Sequence, residues 1–414
     1  MARPHRRQVA GGAAWLFLGL SAPLAAQPVQ DEQRLQSVLD VDRPGYEPRQ
    51  VKLGRVILSP ELDLGVIYDS NVYAAHSDRV SDVMFRARPK LTARSNEGRV
   101  RWQAELSGDF RRYKSTSIEN SDGYAATGTL IAALSDAFTA NARGSYRRAV
   151  ENRSDPEVRQ NPTGGPPLIN ISSGEIGIRA GGARLGVSAK GLIERYDFIS
   201  SLDDERDFTS YRGTTRLLYR LSPMAHVFVQ GYVNQRKFRL REAGSGASRN
   251  GRTLGGLAGI QFDPGGKVRG DVGVGMFRYT AASARFASFS GFALEGNLTY
   301  TPRDRTAIML DVFRGDVATV RNGASGRVDA RARLGIQQEV RHNLLASAAV
   351  RFRETRYRGV SERLKTIGGD VELEYLFSRH VSVALVSQLA RRRGGQLQDR
   401  FERARVGIEL RMSY

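Results

Sequence analysis

The stretch that decides the fold reads VRWQAELSGDFR, residues 100–111. Val100, Trp102, Ala104, Leu106, Gly108 and Phe110 share one parity, while Arg101, Gln103, Glu105, Ser107, Asp109 and Arg111 share the other. Successive side chains of an extended chain point to opposite faces, so this segment is a strand with one apolar and one charged surface. The pattern recurs along the chain. Val328, Ala330, Ala332, Leu334 and Ile336 oppose Asp329, Arg331, Arg333, Gly335 and Gln337. Ile367, Gly369, Val371, Leu373, Tyr375 and Phe377 oppose Gly368, Asp370, Glu372, Glu374 and Leu376. The chain closes with Val406, Ile408, Leu410, Met412 and Tyr414 set against Arg405, Gly407, Glu409, Arg411 and Ser413.

Soluble sandwiches alternate as well. Length separates the two cases: these strands run to roughly ten to fifteen residues, against about five or six in soluble sheets, and tilted membrane strands need roughly 9–11 residues in the hydrocarbon. The connections also alternate in kind. Tight ones fall at 96–99, 135–137, 181–183, 222–224, 263–266, 301–304, 341–343 and 378–380. Longer polar ones lie between them, the longest being RSDPEVRQNPTGGPPLIN at 153–170. Short turns at one rim and long loops at the other are the outer-membrane pattern. Counting turns and loops predicts an all-β chain, a transmembrane antiparallel up-and-down β-barrel of about eighteen strands, or about sixteen.

Ahead of the barrel, Arg3, Arg6 and Arg7 precede the short apolar run Ala13–Leu20 and the small residues Ala22–Ala26. That order predicts a signal peptide over 1–26. Residues 27–55 are polar and read as a periplasmic N-terminal lead with at most a short helix, leaving 56–414 for the outer-membrane β-barrel of a Gram-negative bacterium. No later apolar run suits a membrane helix. The chain has no cysteine, which excludes disulfides, thiolate metal sites and thiol catalysis. It carries a formal charge of +20, which suggests an anionic partner such as a polyanionic sugar or lipid phosphate. Export makes nucleic acid the least suitable of the anionic partners.

The first strand, ELDLGVIYDSNVYA at 61–74, resembles the opening strand of a β-barrel porin family found beside exopolysaccharide export operons, through Asp63, Leu64, Tyr68, Asp69, Asn71 and Tyr73. The segments YTPRDRTAIMLDV and YLFSRHVSVALVSQLA resemble that family's periplasmic turns, and the likeness covers 56–414. The resemblance implies a conduit for an extracellular polysaccharide, with periplasmic export components as partners. Tyr414 fits the family's aromatic ending and is the expected signal to the barrel-assembly machinery.

Arginine placement carries the chemistry. Strands rising toward the long loops end in FRRY, YRR, NQRKFRLR, RFRETRYR and LARRR. Arg111, Arg351, Arg353 and Arg405 fall on the interior parity with Glu372, so they are pore-lining candidates. A basic funnel for an anionic, acidic polymer is one reading, since guanidinium forks match carboxylates. Arginines facing outward against lipopolysaccharide phosphates are another, and interior arginines paired with Asp109, Asp370, Glu372 or Glu374 a third. The corresponding functions are polysaccharide export, a general diffusion porin for small anionic solutes, and a structural barrel that interacts with lipopolysaccharide. Asp69 and Asn71 are mouth candidates, either as a Ca²⁺ or sugar contact or as a polar strand end. His226, His342 and His380 sit on separate hairpins and read as solvated turn residues. His76, on the loop side, has no adjacent Ser/Asp arrangement that stands out as a catalytic one. With no catalytic, metal or cofactor motif in view, the chain is expected not to be an enzyme and to need no cofactor.

Overall fold

The computed structural model describes residues 43–95, 98–158, 164–242, 245–262 and 266–414. The predicted signal peptide lies outside them, as do parts of the turns at 96–99 and 263–266 and of the loop at 153–170. A short strand, β1 (Val51–Leu53), precedes eighteen long ones. These are β2 (Val56–Asp69), β3 (Asp82–Ser95), β4 (Val100–Tyr113), β5 (Ser121–Ala133), β6 (Phe138–Val150), β7 (Leu168–Gly181), β8 (Leu185–Phe198), β9 (Phe208–Ser222) and β10 (Ala225–Phe238). The second half comprises β11 (Gly251–Phe262), β12 (Val268–Ala281), β13 (Phe289–Arg303), β14 (Thr306–Val317), β15 (Gly326–Arg341), β16 (Leu344–Arg358), β17 (Arg363–Leu376), β18 (Val381–Gly394) and β19 (Phe401–Ser413).

Each long strand pairs antiparallel with its sequence neighbours, and β19 pairs with β2 from Arg405↔Asp69 to Ser413↔Glu61. The sheet therefore closes, and every expected tight turn joins a consecutive pair at one rim. Closure satisfies the backbone without an edge, which is what hydrocarbon demands of a spanning sheet. Tyr414 finishes the seam: its amide donates to the Pro60 carbonyl at 3.1 Å, and its ring stacks on His380 with centroids 5.4 Å apart. β1 pairs with β2 from Val51↔Leu58 to Leu53↔Val56, just beyond the end of β19. The chain before it reaches β15 and the following turn, where Arg43 lies 3.7 Å from Glu339 and Tyr46 packs edge-on against His342. Among the described residues the lead is thus an arm along the turn-side rim, with one short strand and no helix.

Parity behaves as the alternation predicts over most of the wall. Leu334, Leu373 and Ile408 are exposed on the outer face. Glu372 and Glu409 face inward, where both meet Arg411.

One segment departs from this. The β13–β14 ladder stops at Leu294↔Arg314, so Phe289–Ala293 and Gly315–Val317 do not pair with each other. β13 stays with β12 up to Phe289, and β14 stays with β15 up to Val317. The wall forks at its loop-side end, and the tip of the β14–β15 hairpin leans into the lumen over the inner face of β10–β13. Val328, expected on the lipid face, is instead buried with Phe228, Leu257, Phe277 and Ala293. The correction has a local cause, because the inner wall beneath the tip is rich in glycine. A Cβ at Gly291 would lie 2.7 Å from the Phe277 ring, and one at Gly259 2.7 Å from the Phe228 ring. Without those Cβ atoms the rings lie low, and the hairpin has room to settle on them.

Candidate extracellular gate

The first part of the longest loop, residues 151–158 after β6, does not stand away from the barrel. Arg153, Ser154, Asp155 and Val158 are all buried. Its anchors run from the far wall round to the closing seam. Arg353 on β16 donates to Asp155 at 3.1 Å. Arg392 on β18 donates to the Ser154 carbonyl. Arg403 on β19 reaches Asn152 Oδ1 at 3.3 Å and Ser154 Oγ at 3.4 Å. Arg327 on β15 lies 3.3 Å from Glu157. In a ring of eighteen strands β6 and β15 are nine apart, as are β7 and β16, so the loop crosses the full diameter of the mouth.

Its flanks are held by neighbouring loops. Arg153 makes a double contact with Glu119, at 3.0 and 2.5 Å, and lies over the Tyr73 ring. Glu151 receives both Arg206 amino groups at 2.8 Å. Glu157 then joins the crossing loop to the inward-leaning hairpin: it accepts the Thr319 hydroxyl and, at 3.3 Å, the Val320 amide. The hairpin has its own tie to the wall, where Arg236 donates to Asp316 at 2.6 Å and Thr253 does so at 2.7 Å. Two inward elements at the loop-side end are thus linked through Glu157.

Burial pushes the Asp155 carboxyl above its ordinary range despite four surrounding arginines, and burial raises Glu151 in the same way. Desolvation outweighs attraction here, so the ionised loop is seated at a cost.

The sequence-predicted residues are all present at the wall, and they are paired. Arg351 donates to Asp370 at 2.6 Å, Arg111 to Asp109 at 2.6 Å, and Arg405 to Asp69 at 2.8 Å. Arg353 divides between Asp155 and Asp329, and Glu372 accepts from Arg411 at 2.7 Å. The interior is a lattice of ion pairs rather than a bare basic lining. Asp69 is fully buried, gripped by Arg403 and Arg405. Asn71 donates its side-chain amide to the carbonyls of Ala75 and Glu402. This pair braces the loop after β2, and its oxygens are engaged by protein. Among the described residues no three His, Asp or Glu side chains gather to hold a metal. Sequence reading missed Asp155, Glu157, Arg327, Arg392 and Arg403 as a unit. The available signal was the alternation of Arg153, Asp155 and Glu157 in a loop long enough to cross a barrel.

The sequence profile of the family described as “putative beta-barrel porin 2” matches residues 43–414. No curated protein matches the chain. Among solved structures, the chain is similar to the siderophore receptor PirA from Pseudomonas aeruginosa, at 9% identity and a TM-score of 0.45, covering 86% of this chain and 80% of that one. It is similar to OccK1 (OpdK) from the same organism, at 12% identity and a TM-score of 0.45, covering 86% and 99%. The FrpB iron transporter from Neisseria meningitidis follows at 10% identity and a TM-score of 0.43, covering 81% of this chain and 62% of that one.

Proposed function

From the premise that the chain belongs to the “putative beta-barrel porin 2” family, a family of porin-type outer-membrane barrels, we propose that it is a gated conduit in the outer membrane of a Gram-negative bacterium, exporting an anionic polysaccharide. The observation that carries this reading is the chemistry of the closure. Asp155 and Glu157 present carboxylates to Arg353 and Arg327 across the whole mouth. A polymer bearing uronate carboxylates offers the same group to the same guanidinium forks. Arriving from inside, it competes with the loop for its anchors, and the loop yields because its own ionised carboxyl is costly to bury. Arg351, Arg111 and Arg405, already facing carboxylates along the wall, provide further exchange positions for a passing polyanion. The width of an eighteen-strand barrel leaves an aqueous lumen for it.

Planar-bilayer conductance of the full chain tests the reading. A carboxylated polysaccharide added on the turn side should lengthen open dwell times, and a neutral polymer of equal length should not. The effect should fade toward 1 M salt, where screening shortens to about 3 Å. A channel indifferent to the polymer that passes small anions steadily is a diffusion porin, and the export reading fails. A deletion strain that secretes an acidic polymer normally would sink it as well.

A further inference from the structure

The outer face of β14–β18 carries charge that neither the fold nor the conduit uses. On β17 the outward positions from Ile367 to Phe377 form the apolar band. Ten residues of a tilted strand rise about 25 Å, the height of a membrane barrel's apolar belt. Directly above that band, the next outward residues are Lys365 and Arg363. On β18 they are Arg391 and Arg393, above Leu389. On β16 they are Glu354 and Arg356, above Phe352. Cations thus gather on three adjacent strands, level with the outer-leaflet headgroups.

Their pairing is uneven. Glu354 is taken by Arg356 and Arg363, the latter at 2.5 Å. Arg391 meets Glu402 at 2.7 Å. Lys365 and Arg393 stand directly opposite each other in the β17–β18 ladder; on its other side Lys365 faces Glu354, which is taken up by Arg356 and Arg363, and among the described residues neither Lys365 nor Arg393 makes an ion pair. Like charges at directly opposed positions are destabilising in a sheet. Four strands further round the barrel, the outward Arg112 on β4 meets Asp122 on β5 at 2.7 Å.

We propose that Lys365 and Arg393, flanked by Arg363 and Arg391, form a binding site for the phosphomonoester of a phosphorylated saccharolipid in the outer leaflet. A doubly charged phosphate between the two side chains would relieve their repulsion, and its three oxygens accept from both. The acyl chains beneath it would lie along Ile367, Val371 and Leu389, all exposed on that face.

The test is native mass spectrometry of the full chain in detergent. Lipopolysaccharide is added with its lipid phosphates intact, or after phosphatase treatment. The wild-type barrel should retain the phosphorylated form by about tenfold or more over the dephosphorylated one. The Lys365→Glu/Arg393→Glu variant should lose that preference, and Arg112→Glu should keep it. Heat-modifiable gel mobility checks folding, and Lys365→Gln/Arg393→Gln serves if the glutamates prevent assembly. Equal retention of both lipid forms by wild type, or full retention by the double variant, overturns the proposal. So does displacement of the lipid by inorganic phosphate at millimolar concentration, which would mark a diffuse ion cloud in place of a lipid site.

Discussion

The two elements that enter the lumen are held there by opposite physics. The β14–β15 hairpin rests on an apolar cluster of Phe228, Leu257, Phe277, Ala293 and Val328, with the Arg236–Asp316 pair buried beside it. The β6–β7 loop is held almost wholly by guanidinium contacts to Asn152, Ser154, Asp155 and Glu157. Burial of apolar surface is insensitive to salt and to competing ions. Charge-assisted contacts can be exchanged for identical ones with a ligand. The comparison assigns the hairpin to the permanent wall and the loop to the moving part.

The sharpest way to break this contrast is to attack the hairpin. Asp316→Ala leaves the Arg236 guanidinium buried with little beyond a backbone carbonyl, and should cost about 3–5 kcal/mol. The urea unfolding midpoint in detergent reads that loss, and a midpoint equal to wild type would show the tip to be as loosely held as the loop. The loop should respond in the opposite way. Glu157→Gln leaves Arg327 its contact with Asp329, so global stability should stay near wild type. Each lost charge-assisted contact is worth about 1.5–3 kcal/mol, and the open fraction should rise by about tenfold or more. Single-channel recording measures it, and an unchanged open probability would remove the loop from the gate.

The smallest effect sharpens the contrast through pH. Burial raises Asp155, so the seated loop holds a proton more firmly than a released one. A carboxyl whose pKa rises on seating opposes seating only while ionised. Acidification from neutral toward the carboxylate range should therefore favour closure, and the Asp155→Asn variant should lose much of that dependence. Conductance that rises on acidification in wild type would contradict the sign.

Strand number, parity and the eight tight turns were legible in the sequence because each depends on neighbours one or two residues apart. The gate was not, because it rests on contacts such as Arg353 with Asp155, 198 residues apart. Arg351, Arg353 and Arg405 could be placed on the interior face by parity alone. Their partners could be read only in part: Asp370 lies on the strand next to that of Arg351, whereas Asp69 meets Arg405 only because the last strand closes on the first. Val328 shows where parity itself gives out. Alternation tells which side of a strand a residue takes, and at the fork that strand leaves the wall, so its outer side faces another part of the same protein.

The fork between β13 and β14 also bears on the lipid around it. Over five residues, from Phe289 to Ala293, β13 has no ladder partner on its β14 side. At the base of the gap Arg314 donates to the Phe292 carbonyl at 2.5 Å. Peptide groups cannot be left dry in hydrocarbon. Water admitted to a notch one strand wide, with Arg314 at its foot, would satisfy these groups, and the outer leaflet would thin locally to let it in.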